Sequence, residues 1–302
     1  MNMLSLKQLK YFDAVVRFGH FSRAAKHCSV TQPALSMQIQ NMEADLGIQL
    51  LERSTNGVIA TAMGREVADR AAKILADVQD LNDCALHSNR LLSGKLHLGV
   101  IPSIAPYVLP PLLPELRSGY PELDLHIRES QTDNLVDELI EGKLDLLLLA
   151  LPIDRHLGEV ETRVLFDDPF VLALPKDQQP SGKIVADTEL MDGKNLLLLE
   201  EGHCLRDQTI AWCQLQQTGN LNTQGASSLS TLVQMVANGM GITMLPEMGL
   251  NVEARNQNIQ VLHFEEPAPS RQIGLIWRKT SPRANDFVEF GHLLVMSRQN
   301  GT

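Results

Sequence analysis

Residues 63–92 contain no proline and set Val67, Ala71, Ile74, Val78, Leu81, Ala85 and Leu92 at alternating steps of four and three, with Ser88 the one interruption. That is an a/d seam sustained over more than three heptads, and it predicts one helix of about 45 Å. A helix that long needs support along its length, so pairing with a second copy is favoured over packing on its own domain. Its ends divide the chain into a head (1–62), a linker (63–93) and a body (94–302). Charge follows the same division. Residues 1–73 carry nine Lys/Arg against six Asp/Glu, net +3, whereas 74–302 carry 17 against 30, net −13. A basic module on an acidic body suits a nucleic-acid partner better than the overall −10 does.

In the head, residues 4–18 place Leu6, Leu9, Phe12, Ala14, Val15 and Phe18 at helical spacing, and Gly19 ends the run. Ser22 is expected to cap a short helix over 23–28. Thr31, Gln32 and Pro33 then read as an N-cap and first turn. The third helix runs to about Leu46, with Leu35, Ile39, Met42 and Leu46 on an apolar face and Gln32, Ser36, Gln38 and Gln40 opposite. Such side chains can donate to and accept from base edges. Two helices joined by a tight turn describe a helix-turn-helix. Residues 50–61 could add a two-stranded wing on which Arg53 meets phosphate. A small helical domain with a solvated polar face fits the same pattern.

The wording of the segment separates these readings. Phe21-Ser22-Arg23-Ala24-Ala25, Ser29-Val30-Thr31-Gln32-Pro33-Ala34-Leu35-Ser36, Leu46-Gly47, Leu50-Leu51-Glu52-Arg53 and Thr61-Ala62-Met63-Gly64 closely resemble the LysR-type winged helix-turn-helix. The resemblance implies promoter DNA as a partner and Ser22, Thr31, Gln32, Pro33, Ser36, Gln38, Gln40 and Arg53 as the DNA-binding set. It also implies a dimer through Val67, Ala71, Ile74, Val78 and Leu81, dimers joined as a tetramer, and contact with RNA polymerase.

From residue 93 the pattern alternates strand and helix: strands at 95–101, 123–129 and 145–151, helices at 108–119 and 132–142. This is the doubly wound α/β pattern. A long extended stretch, 160–175, crosses into a second unit with strands at 195–199, 242–245 and 260–264 and a helix at 230–238. A strand at 271–277 returns to the first unit, and a helix at 282–297 closes it. The expectation is subdomain I at about 94–168 and 270–302, subdomain II at about 169–269, and a cleft between them at the strand ends. The body resembles the LysR-type regulatory domain, shaped like a periplasmic binding protein, and Gly239–Pro246 is an element of that likeness. No Walker, His-Glu-x-x-His, Cys-x-x-Cys or Gly-x-Ser-x-Gly motif occurs. No leader and no run of about 18 apolar residues is seen, so a cytoplasmic protein with reduced thiols and no membrane partner is expected.

Two of the four cysteines, Cys204 and Cys213, stand nine residues apart. Gly202 breaks a buried strand, and the residues from Leu205 to Gln217 read as a helix. Cys204 therefore lies near a helix N-terminus, where N–H groups and the macrodipole favour a thiolate. With His203 and Arg206 adjacent, a lowered thiol pKa is expected. Nine residues of helix span about 13 Å, against roughly 4.4–6.8 Å between the Cα atoms of a disulfide. If these thiols pair, the helix between them must open. An inert buried thiol is the plain alternative for each, as it is for Cys28 and Cys84. No third ligand with zinc-site spacing accompanies His203-Cys204, so no metal and no cofactor is expected.

Gly202-His203-Cys204-Leu205-Arg206-Asp207-Gln208 with Cys213, Ile101-Pro102, Pro106-Tyr107, Glu129-Ser130-Gln131-Thr132 and Gly142-Lys143-Leu144-Asp145 resemble the OxyR family of peroxide-sensing activators within the LysR-type group. The resemblance spans essentially the whole chain. It implies that hydrogen peroxide oxidises Cys204 to a sulfenic acid, that Cys213 resolves it as a disulfide, and that thioredoxin or glutaredoxin resets the pair. Ser103, Thr132, Gly202, His203, Arg206 and Asp207 would bind the peroxide or activate the thiol. Ser103 stands where the family more usually has threonine, so the hydroxyl is kept and the rotamer-restricting methyl is lost. A LysR-type regulator answering a small organic inducer in the cleft is the alternative. A thiol peroxidase is a third reading, against which the N-terminal module counts.

Overall fold

The computed structural model describes residues 4–54, 57–86, 90–155, 157–178, 185–186, 190–215, 222–255 and 257–300. Residues 1–88, with 140–143, make one compact unit and the rest of the chain a second.

The first unit opens with α1 (Leu6–Phe18), α2 (Phe21–His27) and α3 (Gln32–Leu46). Ser5 and Gln8 form a capping box on α1: the Ser5 hydroxyl accepts the Gln8 N–H at 3.2 Å, and Gln8 Oε1 of the side-chain amide accepts the Ser5 N–H at 2.9 Å. Gly19 ends the helix at φ 64. Helix α2 begins earlier than expected: His20 takes the cap position, and Ser22 is an exposed residue inside the first turn. Thr31 has the extended backbone of an N-cap, yet its hydroxyl makes no capping bond. Phe12, Leu35, Ile39, Met42 and Leu50 form the buried centre, while Leu46, expected on that face, is exposed. The Glu43 carboxylate accepts the N–H groups of Leu50 and Leu51 at 2.8 and 3.1 Å. It thereby fixes the start of an antiparallel hairpin, β1 (Leu51–Ser54) with β2 (Gly57–Ala60), in which Arg53 opposes Val58. The side chains of Arg53 and Cys84 lie outside the described residues.

Helix α4 (Ala62–Leu86) follows. Its seam divides in two. Val67 and Ala71 pack against the head's core, whereas Ile74 and Leu81 are 45% and 68% exposed and Val78 is half-buried. The helix does not reach Leu92, which sits buried in a turn at φ 50 with its N–H on the Asp286 carboxylate at 3.1 Å.

The second unit contains β3 (Gly94–Val100), α5 (Ala105–Gly119), β4 (Leu123–Glu129), α6 (Thr132–Ile140), β5 (Leu146–Leu151) and β6 (Val160–Pro175). Next come β7 (Val185–Ala186), β8 (Asn195–Leu199), α7 (Cys204–Leu215), β9 (Asn222–Ala226), α8 (Leu229–Ala237) and β10 (Thr243–Pro246). The chain closes with α9 (Leu250–Glu253), β11 (Ile259–Phe264), β12 (Ser270–Arg278) and α10 (Ala284–Asn300). The main sheet runs β4-β3-β5-β12-β6-β11-β7, with β10 also on β6. Strand β3 is parallel to β4 and β5, as the strand–helix alternation requires. The returning β12 lies antiparallel to both β5 and β6. All six residues of β5 are buried, in keeping with an unbroken apolar strand covered on both faces.

Strand β6 joins the two halves. Its first part, through Pro169, pairs with β12, and Phe170 onward pairs with β10 and β11. Strands β8 and β9 form a separate parallel pair, linked to the second half by a bridge between Leu196 and Ile242. Helix α5 begins three residues before its expected start although Pro110, Pro111 and Pro114 lie inside it. Proline lacks the amide donor an interior turn uses. Burial of Val108, Leu109, Leu112 and Leu116 outweighs that loss.

Candidate functional site

Cys204 is the first residue of α7. Gly202 precedes it at φ 89, where a side chain is both strained and blocked: an added Cβ would lie 2.6 Å from Gln131 Oε1. Gln131 Nε2 donates to the Glu201 carbonyl at 3.1 Å, laying this loop against the start of α6. Between them is a cavity of about 10 Å³, room for one water-sized molecule. Ser103, Gln131, Thr132, Gly202, His203 and Cys204 line it. Ile101 and Pro102 complete the wall, both from the segment after β3.

Beneath the cavity lies Arg271, its side chain wholly buried. Nε donates to Asp168 Oδ2 at 2.8 Å, Nη1 to Ser103 Oγ at 2.8 Å, and Nη2 to the Ser103 carbonyl at 2.9 Å. Asp168, also wholly buried, accepts the Met248 N–H at 3.1 Å on its other oxygen. A buried charge is tolerable only when paired and hydrogen-bonded, and here both members are.

The electrostatics differ from expectation. Burial raises the Cys204 pKa; the Arg271 charge, the Thr132 hydroxyl and the Leu205 N–H pull it down, and Asp207 pushes it up. The thiol therefore keeps its proton more firmly than an ordinary cysteine. Desolvation is the larger effect because the sulfur is packed among protein atoms, although Cys204 as a whole retains some exposure. His203 supplies no charge at neutral pH, since burial lowers its pKa against a smaller upward pull from Glu200. Arg206 is turned aside, with Nη1 on the Leu199 carbonyl at 3.1 Å, and Asp207 is exposed. The cation that counts is Arg271, from a strand 67 positions further along the chain.

Thr132 Oγ1 is buried beside the thiol without a partner of good hydrogen-bond geometry. Cys213 is buried with Leu205 and Thr209 on the core-facing side of α7. Nine residues at about 100° each put it on the opposite side of the helix from Cys204. The two thiols are unlinked, and α7 is continuous between them. Arg271, Asp168 and the bridging role of Gln131 were not found by sequence reasoning. The signal for Arg271 was its place on the same side of β12 as Ile273, Leu275 and Trp277, all buried.

On α3 the expected polar face is not a single row. Ser36 and Gln38 are two residues apart, about 200° of helical turn, and lie half-buried on opposite flanks. Gln32, Pro33 and Gln40 are exposed, and so is Met37, at 54%, which completes the outward surface. No helix among the described residues is long and apolar enough to cross a membrane, and none of them form a three-ligand metal cluster.

A helix-turn-helix head and a two-part α/β body define a class of regulator. Residues 6–65 match the bacterial regulatory helix-turn-helix protein, lysR family, and residues 89–293 match the LysR substrate binding domain. The chain belongs to the LysR family: it is a DNA-binding transcription regulator rather than an enzyme. It is 42% identical over 292 residues to a probable hydrogen peroxide-inducible genes activator of Streptomyces viridosporus, covering 96% of this chain and 93% of that one. A full-length cysteine-to-aspartate variant of OxyR from Pseudomonas aeruginosa superposes with a TM-score of 0.78 at 34% identity, over 99% of this chain and 96% of that one. A hydrogen peroxide-bound cysteine-to-serine variant of Corynebacterium glutamicum OxyR gives 0.65 at 33% identity, with coverage of 99% and 96%.

Proposed function

We propose that the protein is a transcription activator of the hydrogen peroxide response, with Cys204 as its sensor and Cys213 as its resolving thiol. The observation that carries this reading is the one-molecule cavity at the Cys204 sulfur, edged by the Ser103 and Thr132 hydroxyls above the Arg271 charge. The peroxide-inducible relative and the peroxide-bound OxyR structure support it.

Cys204 gives up its proton, and its sulfur attacks one peroxide oxygen. The O–O bond breaks, the sulfur is oxidised to S–OH, and the other oxygen leaves as hydroxide that takes up the proton as water. Cys213 then attacks the sulfur of the sulfenic acid, forming the disulfide and releasing a second water. Because about 13 Å of helix separates the thiols, this step opens α7. The remodelled segment changes how subunits pack and so the spacing of DNA contacts in a tetramer. Thioredoxin or glutaredoxin restores the thiols, RNA polymerase reads the outcome at the promoter, and the cytoplasm is the setting.

A peptide map after one equivalent of peroxide should show Cys204 joined to Cys213. Footprints of reduced and oxidised protein on a duplex selected by the protein itself should differ in extent. Two thiols still reactive after peroxide would overturn the proposal.

A further inference from the structure

Two buried side-chain oxygens, Thr132 Oγ1 and Gln208 Oε1, lack a partner of good hydrogen-bond geometry among the described residues, although the Thr132 hydroxyl lies beside the Cys204 sulfur. A buried acceptor left unpaired weighs against the state that buries it, by about five- to a hundredfold in an equilibrium constant. Thr132 opens on the cavity at Cys204, where a small polar molecule can satisfy it. Gln208 is not among the residues lining that cavity. It lies one turn after Cys204 on α7, about 100° round from the core face of Leu205, Thr209 and Cys213. Helical side chains lean toward the N-terminus, so its amide covers the turn that Cys204 begins.

The same residue sits in the middle of the stretch that must open, four positions after one thiol and five before the other. Opening α7 brings its amide into water, which pairs the oxygen. The penalty therefore falls on the helical dithiol form alone. We propose that Gln208 sets the redox equilibrium of this segment: its unpaired buried oxygen disfavours the dithiol helix and so favours the disulfide. The inference rests on Cys204 and Cys213 acting as a redox pair.

The test uses the full chain, as wild type and Gln208→Met, equilibrated with mixtures of glutathione and glutathione disulfide. The reaction balances as protein dithiol plus glutathione disulfide giving protein disulfide plus two glutathiones. Methionine matches glutamine in length and helix propensity while removing the oxygen. The equilibrium constant for disulfide formation should fall about five- to a hundredfold. That raises the reduction potential by about 20–60 mV, at 29.6 mV per tenfold. The dithiol form should also melt at a higher temperature. Gln214→Met, at an exposed position of the same helix, should change neither quantity. An unchanged constant, or a dithiol form no more stable, in a protein whose wild type does form the disulfide would overturn the role of Gln208. A wild type that forms no disulfide in any mixture would instead bring down the pairing of the two thiols, and this inference with it.

Discussion

Arg271 grips Ser103 twice, through the hydroxyl oxygen at 2.8 Å and the carbonyl oxygen at 2.9 Å. The guanidinium takes a lone pair of the hydroxyl, so the Ser103 proton is directed elsewhere, and the cavity is the polar space it faces. The arginine thus fixes a rotamer that a threonine methyl would otherwise restrict. Ser103→Ala should slow Cys204 oxidation by peroxide at least tenfold and destabilise the fold by about 1–3 kcal/mol, because Arg271 Nη1 is left buried and unpaired. Ser103→Thr should keep a rate within about threefold of wild type. Stopped-flow oxidation and thermal melts of the three proteins decide this; an alanine variant as fast as wild type would remove the hydroxyl from the chemistry.

Protonation gives a second expectation. The thiolate is the nucleophile, and burial holds the Cys204 proton beyond the ordinary cysteine value of about 8.5. The rate of peroxide consumption in single turnover should therefore still be climbing with pH above that value, where an unperturbed thiol levels off. Stability has the reverse slope. The unfolded chain loses this proton first, so the folded state loses ground as pH rises from about 8.5. His203 acts at the other end: its lowered pKa means the unfolded chain charges first as pH falls below about 6.5, again at the fold's expense. A rate plateau below pH 8.5 would contradict the burial of the thiol.

The three helices of the head and the alternation of strands and helices that opens the body were legible in the sequence because they rest on local signals. Gly19 and Gly47 stop helices by adopting positive φ, and the fully apolar β5 announces a buried strand. The location of Cys204 at a helix start was equally local. What could not be read was the neighbour that sets its charge. His203 and Arg206 are adjacent in the chain but one is neutral and the other bonded to a carbonyl, while Arg271 arrives through the pairing of β12 with β5 and β6. The start of α5 was missed although Pro106, in its first turn, is a residue type that favours a helix start.

Tyr107 on α5 reaches across to the other half of the body. Its hydroxyl donates to Glu253 Oε1 at 2.8 Å, Ser230 Oγ donates to the second carboxylate oxygen at 2.8 Å, and Gly249 leaves room for the ring. Burial and the Glu253 carboxylate raise the phenol pKa well above its usual range, so it remains a donor at any physiological pH. Tyr107→Phe should cost about 1.5–3 kcal/mol, the worth of a hydrogen bond to a charged group. Urea unfolding would measure it, and a change below about 0.5 kcal/mol would mean that Glu253 is equally well paired without the phenol.

On α3, the helix expected to read DNA, Gln40 and Met37 are both exposed on one side. Glutamine can pair with adenine in the major groove and methionine can pack on a thymine methyl. Substituting either by alanine should weaken binding to a selected duplex by about 1–3 kcal/mol and leave binding to scrambled duplex unchanged. Equal losses on both duplexes would show that these residues do not read bases.

Ile74 and Leu81, two turns apart on α4, are exposed at 45% and 68%, while Val67 and Ala71 on the same seam pack into the head. An apolar row that is satisfied at one end and bare at the other suits a second copy lying along its C-terminal half. The residues to change are therefore the bare ones, since substituting Ala71 would damage the head itself. Leu81→Lys places a charge in the proposed seam without touching any core. It should raise the dimer dissociation constant at least tenfold in sedimentation equilibrium. The far-ultraviolet circular dichroism at high protein concentration should stay as in wild type. Ala71→Lys should instead lower the melting temperature of the head. If Leu81→Lys leaves association unchanged, copies pair through some other surface and the exposed half of the seam needs a different occupant.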